Sequence, residues 1–155
     1  MLVADLMRKP VVTIVPEASL ISAAKLMEEA GVGALLVVDH GRLTGIVTDR
    51  DVVVRGLAAA LPPDARIDSV MTTDPVTIDV NDDVSAATKA LEERKFRRLP
   101  VMEAGAVVGI LSADDLLLAL VTQLSDVVWP IFGEVIDPQR AGLLPVPVQS
   151  GTAGA

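Results

Sequence analysis

The sequence predicts an α/β fold in which one β-α-β-β-α unit is written twice and the two copies pack around a pseudo-two-fold axis. Three observations lead there. Short valine-rich runs alternate with alanine- and leucine-rich ones, as strands interleaved with helices do. Sliding the 155-residue chain by 64 places sets Met7 on Met71 and, without a gap, Asp51 on Asp115. Under that shift Val12, Thr13, Ile14, Ala23, Lys25, Glu28, Glu29, Leu35, Val37, Gly41, Gly45 and Ile46 also meet identical residues, where average usage predicts roughly three or four coincidences. Third, a unit of this size buries too little of its own surface to be stable alone, so each copy needs the other.

The elements follow in order. VVTI (11–14) and VTI (76–78) read as short strands after a proline. An amphipathic helix comes next, with Leu20, Ala23, Ala24 and Met27 on one stripe, Ser19 as its N-cap and Gly31 at its end. Its twin carries Val84, Ala87 and Leu91, with Asp82 or Asp83 as cap. ALLVV (34–38) and LPVM (99–102) suit buried strands. Gly41 and Gly105 mark hairpin turns, because two-residue turns demand a positive φ. LTGIV and VVGIL return as partner strands, and the following helices carry Val53, Leu57 and Leu61, or Leu117, Leu120, Val121 and Leu124. Pro62 and Pro63 stop the first of these. The division expected is a first repeat over 1–60, a linker and second repeat over 61–124, and a C-terminal extension over 125–155, all one integrated module.

The totals exclude several functions. A net charge of −8 and a near absence of aromatics argue against nucleic acid and acidic membrane surfaces as partners. With no cysteine and one histidine, the usual zinc sites are excluded. No signal-peptide pattern and no apolar run of about 18 residues is present, so a cytoplasmic protein is expected. There is no nucleophile–base pair, Walker loop, Gly-x-Gly-x-x-Gly or metal cluster, so no catalysis, cofactor or metal is expected.

The chemistry concentrates at two matching corners, GIVTDRD (45–51) and GILSADD (109–115). Thr48 and Ser112 place a hydroxyl beside the free N–H groups of a helix's first turn, an anion site in miniature. Asp51 and Asp115, three residues on, can accept hydrogen bonds from a vicinal diol. Phosphate donors beside a diol acceptor suggest a nucleotide. The same residues also serve as ordinary helix caps, and that reading stays open.

The repeat order, MRKPVVTI and MTTDPVTI at the leading strands, FRRLPV in the second copy and G-x-x-[TS]-x-x-D closing each copy resemble the cystathionine-β-synthase (CBS) domain pair, or Bateman module. The resemblance spans about residues 2–122. It implies tandem CBS repeats and a stand-alone regulatory module that binds an adenine nucleotide of the AMP, ADP or ATP class between them. It implies Asp51 and Asp115 as ribose ligands and Thr48, Ser112 and Arg97 as phosphate ligands, with Arg50 standing in for the arginine that the first copy lacks. Arg97 would also neutralise Asp114. By the same resemblance the sites are shared: Ser112 and Asp115 would meet Gly33, Ala34 and the 6–8 segment. Thr48 and Asp51 would meet the 70–72 segment, Val70 included, and the backbone near Arg97 and Arg98. The site with Ser112, Asp115 and Arg97 ranks as the better phosphate site. A homodimer packed through the helices and an unknown regulated protein are the partners implied. The rival reading is a scaffold without nucleotide, acting through dimerisation and its C-terminal patch.

Quieter features have plainer readings. His40 falls in a turn and is expected to be solvated, Glu28/Glu29 and Glu92/Glu93 form a solvated helix face, and Met7, Met27, Met71 and Met102 fill the core. After residue 119 the helix is expected to run to about Asp126 and to break at Pro130. Trp129, Ile131, Phe132, Val135 and Ile136 would form an apolar patch, and the end of the chain an extended tail.

Overall fold

The computed structural model describes residues 1–94 and 97–136. The side chains of Glu93 from the expected Glu92/Glu93 face, of Arg94, of Val127 and of the expected patch at 129–136, together with Lys95, Phe96 and the expected tail, lie outside the described residues. The order is α1 (Val3–Leu6), β1 (Thr13–Ile14), α2 (Leu20–Ala30), β2 (Ala34–Asp39), β3 (Arg42–Thr48) and α3 (Asp49–Asp51), which continues as a π-helical stretch, Val52–Leu57. A 3-10 turn (Ile67–Ser69), β4 (Thr72–Thr73), β5 (Ile78–Asp79), α4 (Val84–Arg94), β6 (Arg98–Glu103), β7 (Ala106–Ser112) and α5 (Ala113–Ile136) follow. This is the α/β repeat expected from the sequence.

Local chemistry sets the boundaries. Ser19 accepts the Ser22 amide at the start of α2, and Gly31 ends that helix at φ +63°. Asp83 accepts the Ser85 amide and is therefore the cap of α4; bonds from the Ser85 hydroxyl, then its amide and the N-terminal ammonium, hold the Asp83 carboxyl down at about 2. Asp82 instead accepts the Asp79 amide. In each hairpin both central residues have positive φ: His40 and Gly41 in one, Ala104 and Gly105 in the other. His40 is exposed there, its Nδ1 2.6 Å from Asp39.

Three expectations need correction. Ala24 is exposed and Leu26, half-buried, flanks the stripe of Leu20, Ala23 and Met27, because the apolar face is narrower than four residues. The strands after each proline are two residues long, and Val11, Val12 and Val76 lie outside them. Helix α5 runs through Pro130 to Ile136. A proline inside a helix forfeits one bond to the carbonyl four residues back, and the bonds on either side hold this helix through that loss.

Two sheets form, ordered β1-β2-β3-β4 and β5-β6-β7. In each, the short first strand runs parallel to the second, and the hairpin partner is antiparallel. The unit that packs is offset from the unit that repeats. Residues 1–8 dock on the second repeat: Val3 is fully buried with Ile78, Val84, Leu99 and Leu111, and Arg8 bridges to Ile110. Residues 65–73 dock on the first: Ile67 and Val70 are buried with Leu20, Leu35 and Val47, and Thr72 pairs with Ile46. The exchange is reciprocal bond for bond. Leu20 N–H donates to Ala65 O as Val84 N–H does to Met1 O, and Ile67 N–H donates to Ala18 O as Val3 N–H does to Asp82 O. That symmetry is the pseudo-two-fold relation. A third cluster of Ala34, Leu36 and Ile46 with Val107 and Ile110 joins the two sheets.

Met1–Leu116 forms one compact unit and the chain from Leu117 a second. Among the described residues no helix is long and apolar enough to cross a membrane.

Candidate functional site

Both corners fold as capping boxes. Thr48 Oγ1 accepts the Asp51 amide at 3.1 Å while Asp51 Oδ2 accepts the Thr48 amide at 2.9 Å. Ser112 Oγ accepts the Asp115 amide at 3.1 Å while Asp115 Oδ2 accepts the Ser112 amide at 3.2 Å and the Ser112 hydroxyl at 2.5 Å. The sequence expectation of free first-turn amides is therefore corrected. Asp49 N–H donates to Gly33 O, Arg50 N–H to Asp49 Oδ1, and Ala113 N–H to Arg97 O. Short polar side chains and the preceding strand satisfy these donors before any ligand is considered.

The two oxygens of each aspartate divide their work. Oδ2 holds the cap, and Oδ1 meets an arginine. At Asp115 that arginine is Arg8, with Nη2 at 2.5 Å and Nε at 2.6 Å. At Asp51 it is Arg55, with Nε at 3.6 Å. The two arginines sit differently. Arg8 is 71% exposed on a carboxylate 10% exposed. Arg55 also donates through Nη1 to Val70 O, Met71 O and Thr72 Oγ1, so its guanidinium fills the ground between Asp51 and the 70–72 segment. Burial pushes the Asp115 carboxyl up, but hydrogen bonds from Arg8 and Ser112 more than offset this and leave it below its ordinary value. Bonding to Asp115 raises Arg8 in return.

The second corner opens into a cavity of about 220 Å³ lined from both repeats. Gly33, Ala34 and Arg8 come from one side, Arg98, Ser112, Asp114 and Asp115 from the other, with Val11, Val12, Leu36 and Ile110 as apolar walls. A side chain at Gly33 would press on Asp49 Oδ2 and Arg98 Nη2, both near 3.1–3.2 Å from its Cβ. A larger residue at position 33 would make the Arg98 guanidinium or the Asp49 carboxylate give way by a few tenths of an ångström.

The structure thus brings together Gly33, Ala34, Arg98, Ser112 and Asp115 of the residues singled out from sequence. Arg97 does not line the cavity. It pairs with Asp114 at 3.0 Å, and Arg98 is the cavity's second cation. Arg50 is exposed, and Arg55 rather than Arg50 meets Asp51. Val70 keeps its side chain in the core and gives its carbonyl to Arg55. Arg55 is a functional candidate that residue reading passed over, and Arg8 is anticipated only as part of the 6–8 segment, through the family resemblance, with no role of its own. The 64-place shift carries their signal: Arg8 stands opposite Thr72, and Arg55 opposite Ala119, so each corner draws its arginine from a different place.

Paired repeats, exchanged leading segments and a polar cleft between them define a tandem-repeat ligand-cleft module. The chain belongs to the CBS-domain family, whose CBS domain matches residues 3–56 and again 67–122. It is 34% identical over 114 residues to the CBS domain-containing protein YhcV of Bacillus subtilis, covering 74% of this chain and 81% of YhcV. Among solved structures it is similar to the CBS domain pair of protein MJ0100 in complex with 5′-methylthioadenosine and S-adenosyl-L-methionine. There the TM-score is 0.72 at 27% identity, with 79% of this chain and 98% of that one covered. It is also similar to CBSX2 in complex with AMP, with a TM-score of 0.67 at 28% identity, covering 78% and 96%.

Proposed function

We propose that this chain is a non-catalytic regulatory module that binds an adenine nucleotide of the AMP, ADP or ATP class in the cleft between its repeats and passes occupancy to a regulated partner protein. One observation carries the reading. Asp115, anchored by one oxygen in its capping box, turns the other into a cavity lined by both repeats. A carboxylate so held is a fixed acceptor for a ribose diol, and Val11, Val12 and Leu36 give a base an apolar bed. The ligands of the two similar structures, AMP and the methylthio- and methionyl-adenosines, share an adenosine with that diol. Ser112 belongs to this site through the cap that fixes Asp115, and Arg98 supplies positive charge. A ligand that binds one arrangement of the repeats better than another shifts the population, which is all that signalling requires.

The proposal includes self-association through helix faces. Val53, Val54 and Leu57 in the first unit, and Leu117, Leu120, Val121 and Leu124 along α5, are exposed.

The scaffold reading draws on one observation, that both hydroxyls and both capping oxygens are already satisfied within the chain. Calorimetric titration with AMP, ADP, ATP and S-adenosylmethionine separates the two. A bound nucleotide at 100 times its dissociation constant should stabilise the fold by about 2.7 kcal/mol, and Asp115→Ala should abolish that gain. If no nucleotide binds the wild type, the scaffold reading stands alone.

A further inference from the structure

We propose that Arg8 is the residue that makes the cleft select adenosine ligands carrying a 5′-phosphate over those without one, by giving up Asp115 to the sugar and turning onto the phosphate. The inference rests on the nucleotide-site reading above and goes beyond it. Asp115 has a single oxygen outside its cap, and Arg8 holds it through two nitrogens at 2.5 and 2.6 Å. A diol needs that same oxygen, so sugar and Arg8 exclude one another. The amides of Ala113 and Asp115 at the start of α5 are spent on Arg97 O and Ser112 Oγ. Beyond the Asp114 amide, phosphate charge falls to guanidinium groups, and the cavity's are Arg8 and Arg98. Asp114 and Asp115 line the same space; Arg97 offsets Asp114, so without Arg8 an entering anion meets the Asp115 carboxylate with Arg98 as the one other cation in the lining. An uncharged nucleoside displaces Arg8 and offers it nothing. A nucleotide displaces it and supplies an acceptor of greater charge, with a fork geometry that guanidinium matches.

Arg8 is suited to the exchange, being largely exposed on a long side chain. Arg55 is not. It is tied to Val70 O, Met71 O and Thr72 Oγ1 as well, so release from Asp51 would leave it anchored there.

The test is calorimetric titration of the full chain with AMP and with adenosine. The wild type should prefer AMP by at least about tenfold, the worth of one charge-assisted hydrogen bond. In Arg8→Ala adenosine should bind several-fold more tightly, its competitor gone, while AMP weakens about tenfold, so the preference collapses. Arg8→Lys should keep part of it. An unchanged AMP-to-adenosine ratio in Arg8→Ala overturns the inference and leaves the nucleotide site standing. Absence of heat from both probes in the wild type overturns both.

Discussion

A single carboxylate does two jobs in the second corner, and pH tells them apart. The hydrogen bonds that depress the Asp115 pKa below 3.8 do so in the folded protein alone. A group depressed on folding contributes stability that is fully present above its unfolded pKa and is lost as pH falls through the lower folded one. Asp115→Asn should therefore melt below the wild type at pH 7, with the gap closing as pH drops beneath about 3.8. A gap that persists to strongly acidic pH would assign the loss to packing instead of charge. At this scale much of the site was legible. Ser112 and Asp115 stand out because duplication repeats the corner, whereas Gly33 and Ala34 are implied by the family resemblance. The arginines were harder to place. Adjacent Arg97 and Arg98 take different places at a strand start, one pairing with Asp114 and the other lining the cavity. Arg55 looks like a solvent-facing charge until the strand pairings are known, and the resemblance brings Arg8's segment to the second corner without a role for its side chain.

Among the elements, turns and caps were read correctly because their causes are local: a hydroxyl or carboxylate three residues from an amide, a glycine with positive φ. Pro130 shows where local rules stop, since α5 continues through it. The close crossing of the leading segments over the hairpins was equally beyond local rules, and the family resemblance alone pointed to it. Gly45 lies so near the segment bearing Met71 that a Cβ there would stand 2.6 Å from Met71 Sδ and 2.9 Å from Thr72 O. Methionine can yield but a backbone carbonyl cannot. Gly45→Ala should therefore destabilise by about 1–3 kcal/mol in denaturant melts, whereas an unaffected midpoint would mean that β4 is free to shift. On α5, Leu117 and Leu124 lie seven residues apart, two turns along one face, and both are exposed. Leu117→Asp with Leu124→Asp should lower self-association in sedimentation without lowering the melting point. Unaltered self-association would remove this face from the interface.

At the scale of the molecule, the duplication was plain from the offset, while its interlocking followed only from the family resemblance. An offset says which residues correspond, never which copy a segment lies against. The first core needs Ile67 and Val70, both essentially inaccessible, from beyond the linker. The second needs Val3 from the start of the chain. Fragments 1–60 and 61–155 should therefore each remain largely unfolded alone and regain helical circular dichroism on mixing. Independent folding of either would contradict the shared cores. The reciprocal loan has the geometry of a domain-swapped homodimer collapsed into one polypeptide. Two half-length molecules trading their first eight or nine residues would make the same contacts but would be at the mercy of dilution. Tethering by a few residues converts that association into an intramolecular one, with an effective concentration in the millimolar range for a short flexible connector. Fusion thus makes the swap independent of protein abundance, and it lets the two once-identical corners diverge, one keeping a loose arginine and the other a fastened one.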